Sequence, residues 1–206
     1  MTMRSHVACA ALLAGLAWST GAVAAERLVL PPYPAARPWQ EVNHQSHGVQ
    51  FLWEYVPAGQ RLDSYTDFLG AQAFPKTPGL DAGGMLRRVF SASAGACENV
   101  RVNGPKTSVE GGYRVAYGQV YCSREKGKAT GADIFYKVIE GADAIYMVHR
   151  EFRTPPTEVA GVRSFPKGSE AVASAFMAAR TVANDYLSAS VVLCGAASTD
   201  PRCRGR

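Results

Sequence analysis

The chain has 206 residues, of which 47% are hydrophobic and 19% charged, enough apolar material for one ordinary folded domain. Lysine and arginine exceed aspartate and glutamate by 22 to 17. This excess is spread along the chain and does not form the basic stripe of nucleic-acid-binding proteins. Composition therefore argues for a single domain and against a nucleic-acid partner.

The first two dozen residues resemble a secretory leader. Arg4 precedes the apolar run VACAALLAGLAW, and small residues follow, with Ala-Val-Ala at 22–24, the pattern at which signal peptidases cut. We expect cleavage after Ala24 or Ala25, with residues 1–24 as the signal peptide. A membrane anchor would need a longer apolar run. The mature protein is therefore expected in the periplasm or secreted, with no stable membrane span.

Four cysteines remain once the leader is removed. In an oxidising compartment paired thiols become disulfides, although four cysteines permit three pairings. Cys97 ends a predicted helix and Cys122 lies in a predicted strand, so a bond between them would clip the helix onto the sheet. A bond between Cys194 and Cys203 would pin the C-terminal tail. Zinc binding is disfavoured, because the cysteine spacing is not that of zinc motifs.

The predicted elements begin after a proline-rich segment. Residues 25–48 contain four prolines and predict an extended or irregular arm, because proline fixes φ and lacks an N–H donor. In VQFLWEYVP the alternation of Phe51, Trp53 and Tyr55 with their neighbours predicts a strand. The following run, RLDSYTDFLGAQAF, is compatible with a helix or a strand.

The next segment, KTPGLDAGGMLRRVFSASAGAC, predicts a helix over 78–96 that begins at a Thr77 cap. Its apolar face would pack on a sheet. That face consists of Leu86, Val89 and Phe90.

Two-residue alternation then predicts strands. In GGYRVAYGQVYCSR, one face carries Tyr113, Val115, Tyr117 and Tyr121, and the other carries Ala116, Gly118, Val120 and Cys122. Two further β-rich runs meet at a hairpin over 140–143, and the second of them extends over 144–153. The small side chains of the second face would let a helix approach closely.

The last predicted element is a helix that begins at Gly168 or Ser169. Its predicted apolar stripe is Val172, Phe176, Ala179, Ala183 and Tyr186 or Leu187. Residues 195–206 form a basic tail. The sequence thus predicts one α+β domain over 49–194, an antiparallel sheet with two flanking helices, stapled by disulfides.

Common catalytic motifs are absent from the sequence, and three weaker candidate sites remain. Glu41, His44 and His47 recur every three residues and could bind zinc or copper, or could simply be a polar arm. His149 and Glu151 share a strand face and could act as a base and its orienting carboxylate, or as part of a cross-strand ion network. We expect no cofactor and treat catalysis as the less favoured reading.

Aromatic residues on the strands are the third candidate. An uncovered sheet face would make them a binding surface, whereas a helix or the N-terminal arm over that face would make them core. The binding candidates are Trp53, Tyr55, Tyr113, Tyr117, Tyr121, Tyr136, Tyr146, His149 and Arg150.

The stretches WEYVPAGQRLDSYTDFL, YGQVYCSR and FYKVIEGADAIYMVHREFR, followed by a last helix reaching Cys194, resemble small exported proteins of Gram-negative bacteria that have no assigned activity. The order of elements is also similar to the α/β/α sandwich of PsbP-like proteins. This resemblance implies a fold class and no catalytic residues.

We therefore expect an exported, non-catalytic domain that binds a protein partner, as an envelope accessory or as an inhibitor or immunity-type protein. One alternative is a carrier of a small apolar ligand held between helix and sheet. Another is a hydrolase or metal-dependent enzyme that uses His149 or the pair His44 and His47.

Overall fold

The structure is a computed structural model of the chain. It describes residues 26–35, 37–161, 165 and 167–204, and the predicted signal peptide lies outside these residues. The elements, in chain order, are β1 (Arg27–Val29), β2 (Trp39–His47), β3 (Gln50–Pro57), β4 (Asp67–Pro75), α1 (Ala82–Ala96), β5 (Val100–Glu110), β6 (Tyr113–Cys122), β7 (Gly131–Glu140), β8 (Ala144–Thr154), α2 (Glu170–Asp185), a π turn (Tyr186–Ser190), β9 (Val192–Cys194) and a 3₁₀ turn (Pro201–Cys203).

Seven of the strands form one antiparallel sheet in the order β2-β3-β4-β8-β7-β6-β5. Two hairpin-connected meanders, β2 to β4 and β5 to β8, meet where β4 pairs with β8. The strands β1 and β9 form a separate two-stranded ribbon in which Arg27 pairs with Cys194. The α+β class and the antiparallel sheet are thus as predicted, and so is the hairpin at 140–143.

One face of the sheet is covered by α1, which lies over β5, β6 and β7. The predicted contact residues Leu86, Val89 and Phe90 pack on Ala116 and Val120 of β6. At Gly118 a β-carbon would come within 2.6 Å of both Leu86 and Phe90. Glycine at this position therefore allows the helix to approach the sheet.

The opposite face is covered by α2 and the π turn. Phe176, Ala179 and Ala183 pack into the larger core cluster, as the apolar stripe predicted. Val172, which was assigned to the same stripe, is 62% exposed, so that part of the prediction is wrong. The first turn of α2 extends beyond the apolar surface that the helix covers.

Three local expectations are refined by the structure. The predicted arm over 25–48 contains β1 and β2, so the large sheet begins at Trp39 and the expected boundary at residue 49 lies within the β2–β3 hairpin. The ambiguous run forms β4, and residues 100–110 form a strand, β5, that the sequence did not indicate. Helix α1 begins four residues later than predicted, because the carboxylate of Asp81, and not Thr77, caps it through Gly84 N.

Both predicted disulfides are present. Cys97 is the C-cap residue of α1 and is bonded to Cys122 at the end of β6, while Cys194 of β9 is bonded to Cys203 in the 3₁₀ turn. The first bond ties α1 to the sheet, and the second ties the C-terminal tail to the β1–β9 ribbon. Two disulfides are typical of a protein that folds in an oxidising compartment.

The two bonds close loops of different length, with separations of 25 and 9 residues. We predict that replacing Cys97 and Cys122 by alanine lowers the free energy of unfolding by about 3.5 kcal/mol, and that replacing Cys194 and Cys203 lowers it by about 2.7 kcal/mol, on the chain-entropy model. Urea unfolding of the two double variants measures both values. An unchanged free energy in the Cys97/Cys122 variant would contradict the stapling role of that bond.

Candidate functional site

The predicted aromatic residues do not share one surface. Tyr136 faces α1 and belongs to the smaller core cluster. Tyr113 and Tyr146 face the other way, and each is only 5% exposed. These three tyrosines are core residues, in agreement with the alternative in which the sheet faces are covered.

Two other predicted tyrosines are engaged by polar partners. Tyr117 donates a hydrogen bond of 2.8 Å to Glu110. Tyr121 donates one to Gln119 and accepts one of 3.1 Å from Arg180 of α2. Both hydroxyls therefore help to hold neighbouring elements together.

Arg150 is a buried cation inside an aromatic enclosure. Its guanidinium carbon lies 4.9 Å from the ring centroid of Tyr33, 4.7 Å from that of Trp39 and 4.1 Å from that of Phe152. Its Nη2 lies 2.6 Å from Asp67 Oδ1, and this charge holds the pKa of Asp67 below its usual value although burial opposes the shift. With only 2% exposure, Arg150 stabilises the packing of the N-terminal segment on the sheet and is not accessible to a partner.

Lys137 is a second buried cation, one that sequence reasoning missed. It is 1% exposed, and its Nζ lies 2.9 Å from Glu110 Oε2 and 2.9 Å from the carbonyl oxygen of Val191. A weaker contact of 3.4 Å reaches the carbonyl of Ser188. The ammonium group thus neutralises both a carboxylate and the carbonyl-rich C-terminal end of the helical segment. The signal in the sequence was a lysine inside the apolar run FYKVIE.

His149 sits between two rings on the α1 side of the sheet. The ring centroids of Phe68 and Tyr136 are 5.3 and 5.5 Å from that of His149, and a β-carbon at Gly70 would collide with the imidazole. The Nδ1 atom is buried and has no hydrogen-bond partner among the described residues. Burial lowers the pKa of His149 to about 4, so the ring is neutral at pH 7.

Glu151 does not orient His149 in the way the base-and-carboxylate hypothesis requires. Its Oε1 accepts a hydrogen bond of 2.9 Å from Tyr65 and lies 3.8 Å from Arg153 Nε. The guanidinium of Arg153 in turn stacks 4.0 Å from the centroid of the Tyr65 ring. Glu151 therefore belongs to an ion and hydrogen-bond network, as in the second interpretation that the sequence allowed.

A half-buried aromatic strip remains on β3, next to the edge strand β2. We call it the edge aromatic surface and define it by Glu41, His44, Phe51, Trp53 and Tyr55. The rings of Phe51 and Trp53 stack with centroids 4.1 Å apart, and His44 lies 5.4 Å from Trp53. Tyr55 is close to Glu41, and burial together with that carboxylate raises the pKa of Tyr55 to about 12.

The edge aromatic surface lies beside the areas that the two helices cover. Helix α1 contacts β5, β6 and β7, and α2 reaches β6 to β8, where Phe176 meets Phe152 and Arg180 meets Asp133. Among the residues that the structure describes, β2 pairs with β3 alone, so within that part of the chain one edge of β2 carries unpaired backbone groups. Trp53 and Tyr55, two of the residues that the sequence proposed for binding, lie in this part of the sheet and are half-buried.

The structure brings together only part of the predicted metal site. A bulge between Glu41 and Asn43 places Glu41 and His44 on the same side, with Glu41 Oε2 and His44 Nδ1 3.2 Å apart. His47 pairs with Gln50 and points to the opposite side of the sheet. Within the described residues no group of three or more histidine, cysteine or acidic side chains could hold a metal ion.

Two surface cavities of similar size lie at one end of the fold. The first, about 330 Å³, is bounded by the π turn, the 3₁₀ turn and the sheet and is lined by Lys137, Glu110, Asp200 and Arg202 together with apolar residues. The second, also about 330 Å³, lies at the β7–β8 hairpin and includes Glu26, Glu140 and Asp143. Charged residues line both cavities, which therefore suit polar groups better than an apolar ligand.

Comparison with known proteins does not assign the chain to a family. No protein-family model matches it, and no curated protein shows significant sequence similarity. In the part of the chain that the structure describes, no helix is long and apolar enough to cross a membrane.

The buried imidazole predicts a specific acid sensitivity. Because the pKa of His149 is about 4 in the fold and about 6.5 in an unfolded chain, only the unfolded state takes up this proton between those values. The contribution of His149 to the free energy of unfolding should therefore fall by at most about 3 kcal/mol as the pH is lowered from 6.5 to 4. Urea unfolding at several pH values measures it.

The variant His149→Leu should lack this component of the pH dependence, while the exposed His47→Leu should retain it. Subtracting the pH profile of His149→Leu from that of wild type separates the contribution of His149 from that of Glu151. Burial raises the pKa of Glu151, so its contribution to the pH dependence has the opposite sign. Parallel pH profiles for wild type and His149→Leu would contradict the assignment of a neutral buried ring.

Proposed function

We propose that the protein is an exported, non-catalytic domain, periplasmic or secreted, that binds a protein partner through the edge aromatic surface. The observation that carries the proposal is the stacked pair Phe51 and Trp53, half-buried beside an unpaired sheet edge. Aromatic residues of this kind are enriched among the residues that contribute most to protein–protein affinity. An envelope accessory or an inhibitor of another exported protein fits such a surface.

The two disulfides support export, because such bonds persist in oxidising compartments. The leader-like N-terminus of the sequence supports it independently. A stapled sheet also supports binding, since a rigid surface loses little conformational entropy when a partner docks.

The geometry favours a particular mode of contact. The strand β2 is nine residues long and offers backbone donors and acceptors at its free edge, to which an extended segment of a partner could add as a further strand. Phe51 and Trp53 would then contact the side chains that the segment projects onto this face. Glu41 and His44, which lie near the middle of β2, add polar groups beside these aromatic rings.

A carrier function is the second candidate. The cavity beneath the π turn favours a carrier, because this cavity lies between the helical segment and the sheet. Its lining includes the buried Lys137 and the carboxylate of Glu110. A ligand there would have to be small and polar, whereas the sequence had suggested an apolar one.

Site-specific photo-crosslinking tests the protein-binding proposal. Ser46 is exposed and pairs with Phe51 across β2 and β3, so a benzoylphenylalanine at position 46 should give a crosslinked adduct in cells. The same residue at Ala178, which is exposed on α2, should give none. Adding Trp53→Ala to the position-46 variant should abolish the adduct, because the stacked pair is lost.

Mass spectrometry of the adduct identifies the partner. Equal crosslinking from positions 46 and 178, or an adduct that survives Trp53→Ala, would contradict a partner at the edge aromatic surface. Bound small-molecule mass in native mass spectrometry, with no adduct, would favour the carrier.

A further inference from the structure

The two edges of the large sheet differ in how they are protected. On the edge strand β5, Pro105 lacks an N–H donor and a bulge between Asn103 and Lys106 interrupts the ladder. Arg101 and Lys106 of this strand are also exposed. Proline, bulges and cationic side chains are the features by which proteins prevent a further strand from pairing with a sheet edge. The opposite edge strand, β2, contains no proline, lysine or arginine, and among the described residues it is the edge that can accept a further strand.

The free edge of β2 offers one regular run, over 43–47. The pairing of β2 with β3 is irregular between Glu41 and Asn43, and a turn at 48–49 follows the strand. Between these two points the register with β3 is unbroken. An added strand can therefore pair with 43–47 and with little else, because a bulge and a turn both end regular pairing. The centre of this run is Gln45.

This run is complementary to itself in the antiparallel direction. A two-fold axis through Gln45 would place this residue opposite its own copy. In every opposed pair both side chains lie on the same face of the sheet, because their residue numbers differ by an even number. No acidic side chain, lysine or arginine takes part. Each pair joins side chains that can donate and accept hydrogen bonds, and the pairs are Gln45 with Gln45, Asn43 with His47, and His44 with Ser46.

The amide groups at the centre of the run are already oriented. Nδ2 of Asn43 donates a hydrogen bond of 2.7 Å to Glu54 Oε2, and Nε2 of Gln45 donates one of 3.1 Å to Asn43 Oδ1. Gln45 is exposed, and its Oε1 atom and second N–H can form a reciprocal pair with the same amide of a second copy. Side chains that are already ordered lose little entropy when they pair.

A second copy would also extend the edge aromatic surface. His44 and Ser46 lie on the same face as the stacked aromatic pair of β3, which they oppose directly. Across the two-fold axis the same residues of the other copy continue this face, so the two edge aromatic surfaces meet in one. A second copy thus supplies both a matching strand and a matching face without any further component.

We propose that the partner bound at β2 is a second copy of this chain, which pairs β2 antiparallel with β2 about a two-fold axis at Gln45. The two seven-stranded sheets then form one continuous sheet. This inference rests on the proposed function, because it names the protein that the edge aromatic surface binds. So short a strand pair buries less area than a standard interface, and we expect a weak dimer with a dissociation constant on the order of 100 µM.

Analytical ultracentrifugation of the disulfide-bonded protein without its leader tests the dimer. The average mass should rise from that of one chain toward that of two over concentrations on either side of the expected dissociation constant. In Gln45→Lys two ammonium groups would oppose each other, with Cβ atoms about 5 Å apart, and the dissociation constant should rise about tenfold or more. Asn103→Lys adds the same charge at an exposed position of β5 and should leave the dissociation constant unchanged.

A charge swap tests the register. Gln45→Glu should weaken self-association as Gln45→Lys does, because two carboxylates then face each other. An equimolar mixture of the two variants should associate at least as tightly as the wild type, since opposite charges lie across the axis. Association that Gln45→Lys leaves unchanged, or that the mixture does not restore, would overturn the proposal.

The crosslinking experiment at position 46 separates this inference from the proposed function. An adduct with the mass of two chains supports both. An adduct with a different protein, together with a single-chain mass in the centrifuge, would overturn the second copy and leave binding at the edge aromatic surface intact. No adduct and a single-chain mass would refute both.

Discussion

The buried ammonium group of Lys137 is the interaction on which the C-terminal half of the fold depends. It joins Glu110 at the end of β5 to the carbonyl oxygen of Val191, just before β9. On the outer side, Arg202 donates to the carbonyls of Ala189 and Ser190 and is held next to Cys203, which is bonded to Cys194. The carbonyl-rich end of the helical segment is thus neutralised from two sides. Because the Lys137 side chain is buried, removing Glu110 would leave its charge without a counter-ion and would lower the stability of the fold.

The position of β9 then determines the path of the N-terminal segment. Because β9 pairs with β1, Leu28 is placed in the core and Glu26 at the hairpin cavity. Tyr186 of the π turn adds a hydrogen bond of 2.6 Å to the carbonyl of Pro31, and the segment continues into β2 through the aromatic enclosure of Arg150. The segment that leads from β1 into β2 is therefore held in place by β9 and the π turn. The strands β2 and β3 then present the edge aromatic surface.

Much of this architecture follows from local sequence patterns. Two-residue alternation identified the faces of β6 and β8, and small residues at Ala116 and Gly118 indicated where α1 would lie. The spacing of the cysteines relative to these elements led to both disulfides. Such features are predictable because they depend on residues that lie close together in the sequence and on the burial of apolar side chains.

The features that sequence patterns did not reveal depend on distant partners. Strand β5 contains a bulge between Asn103 and Lys106 and is mostly exposed, so it lacks a clear apolar alternation. The role of Lys137 requires a carboxylate 27 residues before it and a carbonyl 54 residues after it. The aromatic residues looked alike in the sequence, and only the placement of the two helices separates Trp53 from the buried Tyr113.

Hydrogen exchange in a Lys137→Met variant tests the central claim most directly. If Lys137 locks the end of the helical segment and the β1–β9 ribbon to the sheet, amide exchange over 186–194 and 27–29 should accelerate about tenfold or more, while β8 stays as protected as in wild type. Replacement of the exposed Lys126 by methionine should change neither region. Unchanged exchange in the ribbon, or equal acceleration throughout the sheet, would contradict the claim.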